Sequence, residues 1–150
     1  YESYHQEFPK VFEYLEKIKN FTRQHGYTET LFGRRRVFKD IYSKIPYLRA
    51  ATERQATNAP LQGTAADFIK IAIKKVDNAL KDAGLLSKAH LILQVHDELV
   101  YEVENAVVEK ATEIIRNAME HKILPRFLKN RREVPILVNS FVGQNWGETK

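Results

Sequence analysis

Apolar side chains recur at helical spacing through much of this chain. The first such stripe follows Pro9, which can occupy the first turn of a helix because its missing N–H leaves no bond unmade there. The stripe predicts a helix that ends near Gly26, a C-cap candidate. Residues 1–7 indicate the end of a preceding helix. A later stripe from Val107 to Met119, with Asn105 as its N-cap, predicts a helix that covers a sheet.

Two further helices are predicted in the middle of the chain. The stretch 47–59 is rich in Ala, Arg, Glu and Gln, which favour helix. Pro60 is expected to break this run and to begin a long amphipathic helix that ends near Gly84. The first turns of that helix, from Gln62 to Ala66, are small or polar, and small side chains let another backbone or a ligand approach closely. Tight packing against a neighbouring helix is the alternative, although it does not explain Gln62.

Short β-prone stretches complete the pattern. Residues 27–31 and 32–38 predict a hairpin around Gly33. Val134–Val142 predicts a final strand, whose Pro135 favours an edge position. With the helices, these stretches predict an α+β fold in which several amphipathic helices pack an antiparallel sheet. That sheet would consist of the C-terminal strand and the hairpin described next.

The strongest β signal lies in two apolar runs, Leu91–Val95 and Leu99–Val103, which flank His96, Asp97 and Glu98. This order predicts a tight hairpin with a polar tip. Two-residue hairpin turns prefer Asn-Gly or Gly-X, so turn preference does not explain the tip. Adjacent carboxylates repel each other unless a cation lies between them, which makes the tip a candidate divalent-metal site. A solvated polar turn is the alternative.

Composition bounds the class of protein. The chain has 150 residues and is 43% hydrophobic, enough for the core of one domain. It lacks a run of about 18 apolar residues and a signal-peptide pattern. The absence of cysteine excludes disulfides, CxxC zinc sites and thiol catalysis, and is compatible with an intracellular protein. Since the one methionine is Met119, Tyr1 is expected to mark a cut through a longer protein, with a processed terminus as the alternative.

The distribution of charge is more informative than the net charge of +5. Cationic side chains are concentrated between residues 34 and 54, where only Asp40 and Glu53 oppose them, and such a concentration can neutralise phosphates. Pro125–Glu133 is predicted to be a basic loop. A solvated basic surface is the alternative to phosphate binding. The candidate phosphate contacts follow the first hairpin turn and are Arg34, Arg35 and Arg36.

Three segments, in this order, resemble the C-terminal part of family A DNA polymerases, the bacterial DNA polymerase I group. They are Gly26-Tyr-x-Glu-Thr-Leu with Gly33-Arg-Arg, then Glu53-Arg-x-Ala-x-Asn-Ala-Pro-Leu-Gln-Gly-Thr-Ala-Ala-Asp67, then Gln94-Val-His-Asp-Glu-Leu-Val100. The closing Gly143-Gln-Asn-Trp146 is similar to the end of that family. The resemblance implies that approximately residues 1–59 belong to the distal fingers and residues 60–150 to the palm.

The resemblance also implies roles for individual residues. Asp97 would ligate the catalytic divalent ions, and Glu98 would support that site. His96 would lie by the primer terminus. The residues that match contacts to the primer–template duplex, largely through the minor groove, are Arg54, Asn58 and Gln62. Minor-groove acceptors are shared by A·T and T·A pairs, so such side chains can test duplex geometry without selecting a sequence.

The mechanism implied is two-metal transfer of a nucleotide from dNTP to a primer 3′-hydroxyl. Its cofactor would be Mg²⁺, and its partners primer–template DNA, dNTP and the remainder of the polymerase chain. Two ions about 4 Å apart need carboxylates from more than one strand. The family's Asp-Tyr-Ser-type strand and its nucleotide-binding helix are expected upstream of Tyr1. The isolated chain is therefore expected to be inactive, and the intact enzyme to act in the bacterial cytoplasm at the nucleoid.

Two other functions remain open at the level of sequence. A non-catalytic, basic nucleic-acid-binding module would bind duplex in a salt-sensitive way and would not need Asp97. A metal phosphohydrolase would use the pair His96 and Asp97. Helical His-Asp hydrolases, by analogy, carry this pair on a helix with further histidines at helical spacing, whereas the residues that flank it here are β-prone.

Overall fold

The computed structural model describes residues 6–120 and 135–149. Contacts divide the chain into two compact units, Tyr1–Asp67 and Phe68–Lys150. Helices accompany two antiparallel hairpins, which confirms the predicted α+β class. Gln6 and Glu7 are helical. The rest of the predicted N-terminal helix end and the basic loop Pro125–Glu133 lie outside the described residues, and the division into fingers and palm stays a prediction.

The first unit begins with α1, Pro9–His25, which starts and ends where the sequence predicts. Gly26 adopts a φ of 75° and its N–H donates to the carbonyl of Thr22, so a residue without a side chain caps the helix. The hairpin follows at once. Its strands are β1, Tyr27–Glu29, and β2, Arg35–Val37.

The second helix, α2, is a correction to the sequence analysis. It runs without interruption over Pro46–Asp82, so Pro60 lies inside one helix and does not begin another. Pro60 has no N–H to donate to the carbonyl of Ala56, which costs about 3 kcal/mol in a helix interior. Tertiary packing offsets this cost, because Ala56 and Ala59 are buried in one cluster with Phe38 and Ile41 of the segment that follows β2.

The second unit contains the hairpin that the sequence predicts, with β3 at Ala89–Val95 and β4 at Glu98–Val103. A 3₁₀ turn, Asn105–Val107, then leads into α3, Val108–Glu120. Asn105 is therefore not a helix N-cap. It lies within the 3₁₀ turn, which Glu104 precedes without any capping bond from a side chain. Buried apolar residues of this unit include Val76, Leu80, Leu85, Ala89, Ala111 and Met119.

The predicted C-terminal strand is also wrong for the residues that the structure covers. Residues 135–143 form no strand there, and Val134 lies outside the described residues. Formation of a strand needs a backbone partner along its length, and Pro135 has no N–H to offer one. The N–H of Val138 instead donates to Oε1 of Glu120 at 2.9 Å. Within residues 6–120 and 135–149, no helix combines the length and apolar character that crossing a membrane requires.

Candidate functional site

The tip of the β3–β4 hairpin is tighter than predicted. Val95 pairs with Glu98, so only His96 and Asp97 form the turn and Glu98 already belongs to β4. His96 has a φ of 52°, the one positive φ at a residue other than glycine in the described chain. Such a conformation costs on the order of 1–3 kcal/mol and concentrates at functional sites. Turn stability would favour glycine at position 96, which points to another use for this tip.

A β-bulge in β3 sets the register that brings these residues to the tip. Leu91 pairs with Tyr101, but Leu93 pairs with Val100, so Ile92 is an extra residue on its strand. Bulges increase local twist and change the direction of the side chains that follow. Neither apolar run contains a glycine or another local signal for this bulge, and sequence reasoning missed it.

The donor atoms at the tip suit a metal in kind but not in number. His96, Asp97 and Glu98 are all exposed, and their two carboxylates offer the oxygen ligands that Mg²⁺ prefers. Among residues 6–120 and 135–149, no group of three His, Cys, Asp or Glu side chains comes together. The tip can therefore supply part of a divalent-metal site.

The first unit presents a row of polar side chains on α2. Arg54, Asn58 and Gln62 are exposed, whereas Ala56 and Ala59 between them are buried. Four residues of helix rise about 6 Å, so the row is about 12 Å long. The structure thus places the three predicted duplex contacts along one exposed side of a single helix.

Gln62 also lines a cavity of 230 Å³, which two of the three candidate arginines share, namely Arg34 and Arg36. The remaining lining residues are Thr28, Thr30, Ala59 and Gly63. Arg54 and Asn58 do not line this cavity. The structure therefore brings Gln62 together with part of the arginine run.

The three consecutive arginines have different environments. Nε of Arg34 lies 2.7 Å from a carboxylate oxygen of Asp67. Nε of Arg35 lies 2.6 Å from Glu29, and its guanidinium stacks on a tyrosine ring at 4.5 Å. The guanidinium of Arg36 lies over a phenylalanine ring at 5.2 Å. Of the three, Arg36 alone has no carboxylate partner in the part of the chain that the structure describes.

The strand geometry explains this difference. In β2, successive side chains point to opposite faces of the hairpin. Arg36 pairs across the hairpin with Thr28, and both line the cavity with Gln62. Arg35 pairs with Glu29 on the other face. Simple alternation therefore directs only one arginine of β2 toward the helix row.

A family model described as DNA polymerase family A matches residues 1–148. This chain belongs to DNA polymerase family A. The match extends over the hairpin tip, the helix row and the arginine run together, as the resemblance of the three sequence segments predicts.

Relatives of this family A chain are much longer than it is. It is 43% identical to the DNA polymerase I of Rhizobium leguminosarum over 145 residues, which cover 97% of the chain and 14% of that relative. It is 44% identical to the thermostable DNA polymerase I of Thermus filiformis over 149 residues, or 99% of the chain and 17% of that relative. The chain therefore spans about one sixth or less of these proteins.

The fold of this chain is similar to that of a solved polymerase structure. That structure is the POL domain of Pol1 from M. smegmatis in complex with DNA primer-template and dNTP. The similarity covers 83% of this chain and 21% of that one, with a TM-score of 0.77 and 42% sequence identity.

Sequence reasoning missed two residues of this polymerase-family chain, Thr30 and Asp67. Thr30 donates its hydroxyl to Oδ2 of Asp67 at 2.7 Å, and the carboxylate is almost fully buried. The one available signal is a charged residue among the small side chains that follow Gln62. Its partners lie more than 30 residues earlier in the chain, so no local pattern reveals them.

The β3–β4 hairpin carries one perturbed ionisable group. Burial, followed by the negative charge of Asp77, raises the pKa of Tyr101 to about 12. The neutral phenol is therefore favoured in the folded chain. Tyr101 pairs with Leu91 immediately before the bulge, so this phenol lies next to the point where the register changes.

We expect the stability of this region to fall at high pH. A phenol whose pKa is raised by folding contributes stability below its unfolded value near 10, and that contribution is lost as pH rises toward the folded pKa of about 12. Because Tyr101 is only partly buried, we expect a loss of about 1–2 kcal/mol. Urea unfolding at several pH values should show this loss, and Tyr101→Phe should remove it. A phenolate absorbance change assigned to Tyr101 near pH 10 would contradict it.

Proposed function

We propose that this chain is part of a template-directed DNA polymerase that transfers nucleotides from dNTP to a primer 3′-hydroxyl. The observation that carries the proposal is its likeness, at 42% identity and a TM-score of 0.77, to a polymerase domain solved with DNA primer-template and dNTP. The strained, acidic hairpin tip and the polar helix row both agree with this function.

In this proposal Asp97 holds catalytic Mg²⁺ with its carboxylate, and Glu98 supports the same site. Ladder bonds on both sides of a two-residue turn fix the tip, and a rigid position is what a metal ligand needs. When bound, a pair of such ions lowers the pKa of the attacking hydroxyl and stabilises the leaving group. The remaining carboxylate would come from the rest of the polymerase chain. His96, an exposed hydrogen-bonding group at the same tip, would lie by the primer terminus.

The helix row would contact the duplex next to the newly formed pair. A row of about 12 Å spans three to four base pairs at roughly 3.4 Å each. Asn58 and Gln62 carry amide donors for the minor-groove acceptors N3 and O2, which do not distinguish A·T from T·A. Arg54 adds a positive charge that phosphates attract. Such contacts would test the shape of the duplex without selecting its sequence.

A non-catalytic nucleic-acid-binding module is the second candidate. One observation favours it, namely the guanidinium of Arg36, which lines the cavity beside Gln62 and has no carboxylate partner among the described residues. Its binding would depend on cationic groups such as Arg36, and its function would be independent of Asp97. The third possibility, a metal phosphohydrolase, receives no support from the structure, since His96 and Asp97 lie in a hairpin turn.

Primer extension separates these candidates. We expect the full protein that carries this chain to extend a 5′-labelled primer, in Mg²⁺, only with the dNTP complementary to the template base. The 150 residues alone, assayed in parallel, should give no extension. Extension by the 150 residues would refute the proposed division of the metal site. Duplex binding without extension by the full protein would instead favour the binding module.

A further inference from the structure

The loop of the first hairpin docks on one turn of α2, from Gly63 to Asp67. Arg34 donates from Nε to Asp67 at 2.7 Å and from Nη2 to the carbonyl oxygen of Gly63 at 3.0 Å. Thr30 donates its hydroxyl to the other oxygen of the same carboxylate at 2.7 Å. The N–H of Leu31 donates to Oγ1 of Thr64 at 3.0 Å. Loop and helix are thus joined by several hydrogen bonds within a single helical turn.

This docking is close, and the carboxylate at its centre is shielded from water. Asp67 is 8% exposed, and both of its oxygens accept short bonds, one of them from a cation. A side chain at position 63 would not fit, because its Cβ would lie 2.6 Å from Cγ2 of Thr30. The glycine therefore serves the close approach of loop and helix. Removal of Thr30 or Arg34 would withdraw a short hydrogen bond from this buried carboxylate, which is costly.

The helical turn that receives the loop is weakly held by its own backbone. Pro60 removes one hydrogen bond to the preceding turn, and glycine at position 63 lowers helix propensity by about 1 kcal/mol relative to alanine. Gln62 lies between these two residues. Its direction therefore depends on whatever fixes the turn from outside, and the bonds from the hairpin to Gly63 and Asp67 do so.

We infer that Thr30, Arg34 and Asp67 are positioning residues that hold Gln62 against the minor groove of the primer–template. This inference rests on the proposed contact of Gln62 with the duplex. It also assigns Arg34 a role different from phosphate binding, since two of its donor groups are already engaged within the protein. The alternative is that this network only stabilises the fold, with no specific effect on Gln62.

The test uses the full polymerase and primer–templates in which one purine is replaced by its 3-deaza analogue. This replacement removes the minor-groove N3 acceptor and leaves Watson–Crick pairing intact. It is introduced separately at each of the last four base pairs, and kcat/KM for addition of the next correct nucleotide is measured. We expect a penalty of about tenfold at the contacted position. Gln62→Ala should abolish that penalty, because the contact is already lost.

Substitution of a positioning residue should lower the deaza penalty in the same direction as Gln62→Ala, but by less. Arg34→Lys keeps the positive charge but cannot reach both Asp67 and Gly63, so we expect the deaza penalty to fall to about twofold. Thr30→Val removes the hydroxyl at nearly constant shape and should do the same. Thr30→Ser restores the hydroxyl and should restore the penalty.

Arg23→Lys is a matched control. Arg23 joins α1 to Glu53 of α2 through an ion pair of 2.8 Å, with exposure of both partners close to that of Arg34 and Asp67. Its substitution perturbs the same helix at a distance from Gln62. We expect Arg23→Lys to keep the full deaza penalty.

Each outcome decides between the two roles. Suppose that Arg34→Lys and Thr30→Val keep the full deaza penalty while Gln62→Ala abolishes it. The contact of Gln62 with the duplex would then not depend on these residues, and the positioning role would be overturned. Equal loss of the penalty in Arg23→Lys would also overturn it, since any weakening of α2 would then suffice. If the unsubstituted polymerase shows no penalty at any of the four positions, the proposed minor-groove contact itself fails, and the positioning role with it.

Discussion

We expect Asp97→Asn to lower the rate of nucleotide addition by the proposed full polymerase at least about 10³-fold, which corresponds to the loss of several kcal/mol of transition-state stabilisation. The amide is nearly the same size as the carboxylate, but it carries no charge and is a poor ligand for Mg²⁺. Asp97 is exposed at a turn, so the fold should tolerate the change. Single-turnover incorporation, with primer–template affinity measured in parallel, tests the prediction. Affinity should change by less than about threefold, since the proposed role of Asp97 is to hold metal and not duplex.

Glu102→Gln provides a control on the same hairpin. Glu102 is an exposed carboxylate of β4 that pairs with His90, near the end remote from the tip. Its neutralisation changes the hairpin charge by the same amount as Asp97→Asn, and we expect incorporation within about twofold of the unsubstituted rate. Normal incorporation by Asp97→Asn would remove Asp97 from the metal site. Equal losses in both variants would indicate a general electrostatic effect.

Elements with strong local signals could be predicted from the sequence. Pro9 and Gly26 mark the ends of α1 because fixed φ and missing N–H favour a helix start, and because glycine tolerates positive φ at the helix end. Both hairpins follow from β-prone runs separated by polar or glycine-containing turns. The acidic tip was apparent for a related reason, namely that its residues conflict with what a tight turn prefers.

Features that depend on distant residues could not be predicted. Pro60 favours a helix start locally, yet packing of the neighbouring alanines against the segment after β2 keeps α2 continuous. The final apolar stretch has a strand composition, but composition does not supply a ladder partner. Asp67 is uninformative until the fold brings Thr30 and Arg34 to it across more than 30 residues. Local propensity fixes short elements, whereas tertiary contacts decide their limits and the roles of their polar groups.

The same reasoning separates three arginines that the sequence treats alike. Alternation along β2 places Arg35 beside Glu29, and the loop places Arg34 beside Asp67, so both guanidinium groups already face a carboxylate. Arg36 faces the cavity next to Gln62, over an aromatic ring that does not neutralise it. Of these three arginines, Arg36 therefore offers a DNA phosphate the one positive charge that no carboxylate of the described residues neutralises. This ranking leads to a measurable difference in salt dependence.

Arg36→Gln should reduce the slope of log affinity against log salt concentration by about 0.9, the value expected for one lost phosphate contact on duplex DNA. The physical reason is release of counterions: each phosphate that a cation neutralises frees condensed salt ions, and glutamine neutralises none. Fluorescence anisotropy with a labelled primer–template, between about 50 and 200 mM salt, gives the slope directly. Affinity itself should fall most at the low end of this range.

Arg35→Gln is the matched control, since it removes the same charge from the adjacent position of the same strand. Its partner Glu29 lies 2.6 Å away, so removal of Arg35 leaves a free carboxylate on the opposite face of the hairpin and no lost phosphate contact. We expect a slope within about 0.3 of the unsubstituted value, well below the 0.9 of a full contact. A larger change for Arg35→Gln than for Arg36→Gln would reverse the assignment. It would mean that DNA displaces Glu29 from Arg35. An ion pair on an exposed strand would then not prevent an arginine from binding a phosphate.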